Sequence, residues 1–120
     1  MLNISNLRKT YGQKIAVDHL NLTINGGEIY GFIGHNGAGK TTTLKAVCGI
    51  LQFEEGEIYV DGTSVKTDAF ACKKKLAYIP DNPDLYEYLT GIQYLNFIAD
   101  VFGVGAQERQ ERIEKYADAF

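Results

Sequence analysis

With 120 residues, 45% of them hydrophobic and 22% charged, the chain has the composition of one compact globular domain and no room for two. Its formal net charge of −3 and sequence pI of about 5.3 argue against a nucleic-acid-coating surface and against a polybasic membrane anchor. Nowhere does it offer the ~18 uninterrupted apolar residues that a membrane span needs, so any link to a membrane is expected to come through a partner.

Taken in chain order, Leu2, Ile4 and Leu7 followed by Arg8, Lys9, Tyr11 and Gly12 read as a short strand running into a turn. Residues 20–24 form a second strand, in which Leu20, Leu22 and Ile24 alternate with Asn21 and Thr23 before the Asn25-Gly26-Gly27 turn. The two strands should pair or lie close. Glu28-Ile29-Tyr30-Gly31-Phe32-Ile33 is a compact apolar run that reads as a third strand. After a glycine-rich loop, residues 41–51 carry Leu44, Val47, Cys48 and Leu51 at helical spacing, with Gly49 weakening the last turn.

Residues 56–60 are the next strand candidate, with Asp61-Gly62 as its turn, and Leu76-Ala77-Tyr78-Ile79 reads as a buried strand closed by Pro80. Between them, Lys73-Lys74-Lys75 reads as a solvated face. From Thr90 the pattern turns helical: Thr90 and Gln93 match a capping box, and Tyr94, Leu95, Phe97, Ile98, Val101 and Phe102 supply an apolar face. Gly103 and Gly105 break this helix, and a charged segment from Gln107 resumes helical register through Ile113, Tyr116, Ala117 and Phe120. Cys48 and Cys72 are widely spaced and lack nearby His, so they form neither a zinc knuckle nor a disulfide framework and read as small core or near-surface residues.

Gly34-His35-Asn36-Gly37-Ala38-Gly39-Lys40-Thr41 matches G-x-x-x-x-G-K-[ST] at every required position. Glycines let the backbone curl so that several N–H groups point at phosphate oxygens, and the helix that follows adds its positive N-terminal end. Lys40 brings a flexible point charge to β- and γ-phosphates, and the Thr41 hydroxyl can take one position on Mg²⁺. Chance supplies the four fixed positions in roughly one chain of this length in a few hundred. The placement between a predicted strand and a predicted helix is what turns the match into a nucleotide site.

The stretch Asn36-Gly37-Ala38-Gly39-Lys40-Thr41-Thr42-Thr43-Leu44 resembles the phosphate loop of ABC-type ATPases. Tyr11, in a Lys-Thr-Tyr-Gly context, resembles that family's aromatic that stacks on adenine; from the residues alone an aromatic beside a strand is more often core. Gly49-Ile50-Leu51 followed by Gly56-Glu57-Ile58 and Asp61-Gly62 resembles the stretch after the loop helix, and Ala77-Tyr78-Ile79-Pro80 the approach to the Q-loop.

The resemblance implies an α/β fold: a P-loop NTPase core with an antiparallel β portion at the N-terminus and the start of an α-helical subdomain, truncated. It places a partial ATP-binding core at residues 1–90 and the beginning of the helical subdomain at 91–120. It further implies ATP and Mg²⁺ held by Tyr11, Gly34, His35, Asn36, Gly37, Ala38, Gly39, Lys40, Thr41 and Thr42, with Lys40 as the catalytic cation and Thr41 and Asp81 toward the metal. Two positions depart from the pattern. Asp81 stands where many relatives have the glutamine that reaches the metal and the attacking water, and Pro80-Asp81-Asn82-Pro83 equally has the chemistry of a plain turn. His35 replaces a residue often proline and reads as structural or neutral.

The family's signature motif, Walker B carboxylates, catalytic glutamate and switch histidine follow the Q-loop helices, and none occurs in this sequence. The expectation is therefore the ATPase subunit of an ABC transporter whose residues here bind ATP with little or no turnover by themselves. A permease subunit and a second ATP-binding subunit are the implied partners, at the cytoplasmic face of the cell membrane. Leu85, Tyr86, Tyr88 and Leu89 are either the docking point for the permease or core. The competing readings are a soluble ABC-type ATPase acting in translation or DNA repair, a P-loop kinase, and a purely regulatory binding module.

Overall fold

The first strand, β1 (Leu2–Tyr11), pairs antiparallel with β2 (Lys14–Ile24) in a register that sets Leu2 opposite Ile24, Ile4 opposite Leu22 and Tyr11 opposite Lys14. Both strands are longer than the sequence pattern indicates, because the ladder continues through polar residues on the solvent side. Ile4 and Leu7 are both fully buried although an uninterrupted strand would point them to opposite faces. A register shift between them resets the alternation. At this bulge Asn6 has φ 48°, and its N–H donates to Asn21 Oδ1 at 2.9 Å. Gly56 fits against it with φ 94°; a Cβ there would come within 2.4 Å of the Asn6 carbonyl oxygen.

The computed structural model describes residues 1–82 and 85–119, in two units divided after Tyr78. In the first unit, β3 (Glu55–Val60) pairs antiparallel with the other edge of β1, and β4 (Thr63–Ser64) follows through the Asp61-Gly62 turn. The sheet order is β2-β1-β3-β4. Helix α1 (Lys40–Val47) buries Thr43, Ala46 and Val47, and together with Ile4, Leu7, Val17, Ile58, Val60, Val65 and Cys72 its apolar residues make the core. Cys72 lies on the short helix α2 (Ala69–Lys73), which Asp68 caps by accepting the Ala71 N–H at 2.9 Å. Neither β4 nor α2 was expected; two strand residues and five helical ones are too few to show a repeating pattern in the sequence. Lys73, Lys74 and Lys75 are exposed, as their charge requires.

Two predicted strands do not form. Residues 28–33 and 76–79 carry no ladder among the described residues, and Ile29, Ile33 and Ile79 are almost wholly exposed. Their β-rich, apolar composition is that of strands buried on both faces, but a strand exists only where a neighbour takes up its backbone N–H and C=O groups. No described segment pairs with either one.

In the second unit, α3 (Gly91–Val101) begins with the capping box legible in the sequence. Thr90 Oγ1 accepts the Gln93 N–H at 3.3 Å, and Gln93 Oε1 accepts the Thr90 N–H at 2.8 Å. Gly103, at φ 67°, ends the helix, and α4 (Ala106–Ala119) follows. Arg109 on α4 ties the two together, donating to Asn96 Oδ1 at 3.1 Å, Asp100 Oδ1 at 2.5 Å and the Val104 carbonyl at 3.0 Å. Leu95 and Ile98 of α3, Phe102 at its C-terminal cap, and Ile113 and Tyr116 of α4 line the groove between the two helices. Tyr86 leans edge-on against Phe97 at 5.8 Å and lies 5.7 Å from Tyr88, both distances between ring centroids. The expected place of Phe120 in the α4 register lies outside the described residues. None of the described helices is long and apolar enough to cross a membrane.

Candidate functional site

The loop of residues 34–41 curls on two left-handed glycines, Gly37 at φ 87° and Gly39 at φ 86°. The Ala38 N–H closes a turn on the His35 carbonyl at 3.1 Å, and His35 Nδ1 contacts the Asn36 carbonyl at 2.9 Å. Lys40 folds its ammonium back into this curl, donating to the carbonyls of Gly34 and of His35, the latter at 2.8 Å. A positive charge is thus held at the mouth of the loop.

Helix α1 starts directly from the loop. Gly39 is its N-cap residue and provides no side-chain cap, and the first turn carries no acidic residue. The amides at the start of such a helix have no intrahelical acceptor, so their N–H groups and the positive end of the helix dipole are open to an anion. Thr43, which the sequence reading passed over, fixes this start: its side chain is buried and its Oγ1 donates to the Gly39 carbonyl at 3.0 Å. No residue-type rule marks it beforehand, because a threonine in the first turns of a helix is commonly exposed. Thr41 faces solvent, and Thr42 is half-buried.

The loop is backed by β2. A Cβ at Gly39 would come within 2.2 Å of the Ala16 carbonyl oxygen and 3.2 Å of Val17 Cγ2, so glycine is required there by contact as well as by φ. Ala16 lies on β2 two residues past the hairpin's last pair, Tyr11↔Lys14. One hairpin therefore carries Tyr11, 51% exposed, at its end and the backing of the loop a few residues on. Gly34 through Thr42 and Tyr11 all belong to the first unit, while Asp81 belongs to the second and is exposed. Pro83, the last residue of the predicted turn around Asp81, lies outside the described residues.

A metal could find only sparse ligation here. The described residues contain no group of three or more His, Cys, Asp or Glu side chains able to hold an ion. One hydroxyl at the start of α1 nevertheless suits Mg²⁺ that arrives with a nucleotide, since this ion keeps waters and phosphate oxygens and needs few protein ligands.

An uncapped helix start, curled glycines and a lysine held in the curl together are the features that suit an anion such as a phosphate. The family model for ABC transporters matches residues 17–120, and the chain belongs to that family. It is 35% identical over its whole length to the probable multidrug ABC transporter ATP-binding protein YbhF of Escherichia coli, covering 21% of that protein. It is 35% identical over 113 residues to the SkfA peptide export ATP-binding protein SkfE of Bacillus subtilis, covering 94% of this chain and 46% of SkfE. Among solved structures, an ATP-binding subunit of an ABC transporter superposes with a TM-score of 0.86 at 30% identity, covering 94% of this chain and 47% of that one. A dimeric ATP-binding cassette in a post-hydrolysis state with ADP and Pi superposes with a TM-score of 0.82 at 25% identity, covering 96% and 55%. The chain thus spans between about a fifth and a half of the length of these relatives. The expected α/β fold with an antiparallel N-terminal sheet stands.

Proposed function

We propose that the chain binds MgATP at the loop of residues 34–41, as part of a transporter motor that couples ATP hydrolysis to movement of a solute across a membrane. The observation that carries the reading is the helix start left without a cap behind two left-handed glycines, with the Lys40 ammonium held in the curl. In this reading Gly34, His35, Asn36, Gly37, Ala38 and Gly39 offer backbone to the phosphates and Lys40 faces the β- and γ-phosphates. Thr41 and Thr42 meet the nucleotide at the first turn of α1, with Thr41 on Mg²⁺, which neutralises phosphate charge when bound. Tyr11 stacks on adenine. Asp81 is the second residue assigned to the metal in this reading.

A membrane permease and a second ATP-binding subunit complete the assembly, the latter in line with the dimeric cassette that this fold resembles. The exposed Leu85, Tyr86 and Tyr88 are the permease contact in this reading, which places the chain at the inner face of the membrane. No observation favours the soluble reading in translation or DNA repair, and the names of the similar proteins are those of transporters. These residues grip ATP without turning it over, because positioning and activating the attacking water falls to groups that the sequence does not contain.

Calorimetry with MgATP and phosphate release on the same sample test this together. Binding is expected, weakened about ten- to a hundredfold by Tyr11→Ala, as suits a stacking contact of ~1–3 kcal/mol. Phosphate release is expected at the level of Lys40→Ala. Turnover that disappears in Lys40→Ala would contradict the division between gripping and catalysis.

A further inference from the structure

Beyond Arg8, opposite Glu55, β1 has no further pairing with β3, yet it continues to Tyr11 paired with β2 alone. The edge that faced β3 is thereby left without a strand. Glu54, the residue just before β3, fills this gap with its side chain: Oε2 accepts the Thr10 N–H at 2.9 Å. Its other oxygen, Oε1, accepts a hydrogen bond from Lys9 Nζ at 2.6 Å. The Lys9 side chain is only 13% exposed, unusual for a long cation on a strand edge, and its nitrogen lies over the Tyr11 ring, 5.3 Å from the centroid. One carboxylate therefore holds both the backbone that leads into Tyr11 and the cation against one face of its ring.

We infer that Glu54 and Lys9 are positioning residues for the nucleotide base: together they lock the Tyr11 ring so that the face away from Lys9 is presented to adenine. This rests on the reading of Tyr11 as the base platform. Pre-orienting a side chain removes an ordering cost that the ligand would otherwise bear on binding. Because Lys9 is committed to Glu54 and the ring, it does not act as a phosphate contact, which separates this role from that of Lys40.

The test measures the affinities of MgATP and of magnesium tripolyphosphate for the unaltered chain, Glu54→Ala, Lys9→Met, Lys9→Arg, Tyr11→Ala and the Glu54→Ala/Tyr11→Ala double variant, with circular dichroism as the folding control. Glu54→Ala and Lys9→Met are expected to weaken MgATP about three- to tenfold and leave tripolyphosphate unchanged. Lys9→Arg, which keeps the charge and its reach, should restore most of the loss. In the Tyr11→Ala background Glu54→Ala should cost nothing further. Equal weakening of both ligands would make Glu54 a merely structural residue and overturn the inference. So would an unchanged MgATP affinity in the two clamp variants while Tyr11→Ala weakens it. If Tyr11→Ala itself has no effect, the base platform is wrong and the clamp falls with it. Should Glu54→Ala fail to fold, Lys9→Met, which removes no backbone hydrogen bond, decides between the same outcomes.

Discussion

Gly37 and Gly39 share nearly the same left-handed φ, yet their surroundings differ: a Cβ at Gly37 meets nothing within 4 Å, whereas at Gly39 it would collide with the Ala16 carbonyl. A side chain at Gly37 costs only the backbone penalty, ~1–2 kcal/mol. At Gly39 the strand or the helix start must also shift. Gly39→Ala is accordingly expected to unfold more readily than Gly37→Ala in urea, and to lose nucleotide binding even where it remains folded. Equal stabilities would mean that β2 does not back the loop as described. The two glycines are both legible as motif positions, but which one is held by contact becomes visible only once β2 is in place.

Two glutamates of the first unit have lowered pKa values for plain reasons. Glu28 accepts from the Asn25 side chain and from its N–H, at 3.0 and 2.7 Å, closing the turn after β2, and Glu54 is held down first by Lys9 and then by the Thr10 N–H. Their folded values lie below the unfolded ones, so the stability they contribute is complete above the ordinary glutamate pKa of ~4.3 and is lost as pH falls through the lowered values. Thermal midpoints by circular dichroism should be level from pH 7 to about pH 5 and decline below it. Glu54→Gln should shallow that decline. A midpoint already falling between pH 7 and 6 would point to other groups.

At the scale of elements, local signals proved most readable where a single short-range rule suffices. The α3 cap is such a case, since Thr90 and Gln93 satisfy each other within one turn whatever the rest of the chain does. Thr90→Ala is expected to cost ~1 kcal/mol and to raise amide exchange in the first turn of α3, leaving the P-loop amides unchanged. The pairing of β1 with β2 was likewise readable from alternation. Its full length was not, because the bulges at Asn6 and toward Tyr11 break the period that a reader counts. The segments at 28–33 and 76–79 show the opposite limit. Their composition is that of strands, and the missing ingredient is a neighbour, a non-local condition that no window of sequence contains.

For the molecule as a whole, each unit has its own internal order: a sheet and two helices around one core before Ile79, and a helical hairpin held by Arg109 after it. The first unit holds nearly all of the candidate site, which is why the site was legible from the motif and its flanks while the fate of Asp81 was not. The chain spans about half of the solved cassettes it resembles, so transport, dimerisation and permease docking remain properties proposed for the longer proteins. What is proposed for these residues by themselves is narrower: to hold a nucleotide at the start of α1 beside the β1–β2 hairpin. The most direct measurement is a map of backbone amide chemical shifts in the labelled chain as MgATP is added. Shifts gathered at residues 34–43 and at Tyr11, and absent in Lys40→Ala, are the expected result. A folded chain whose shifts do not move, or move only within α3 and α4, would contradict it.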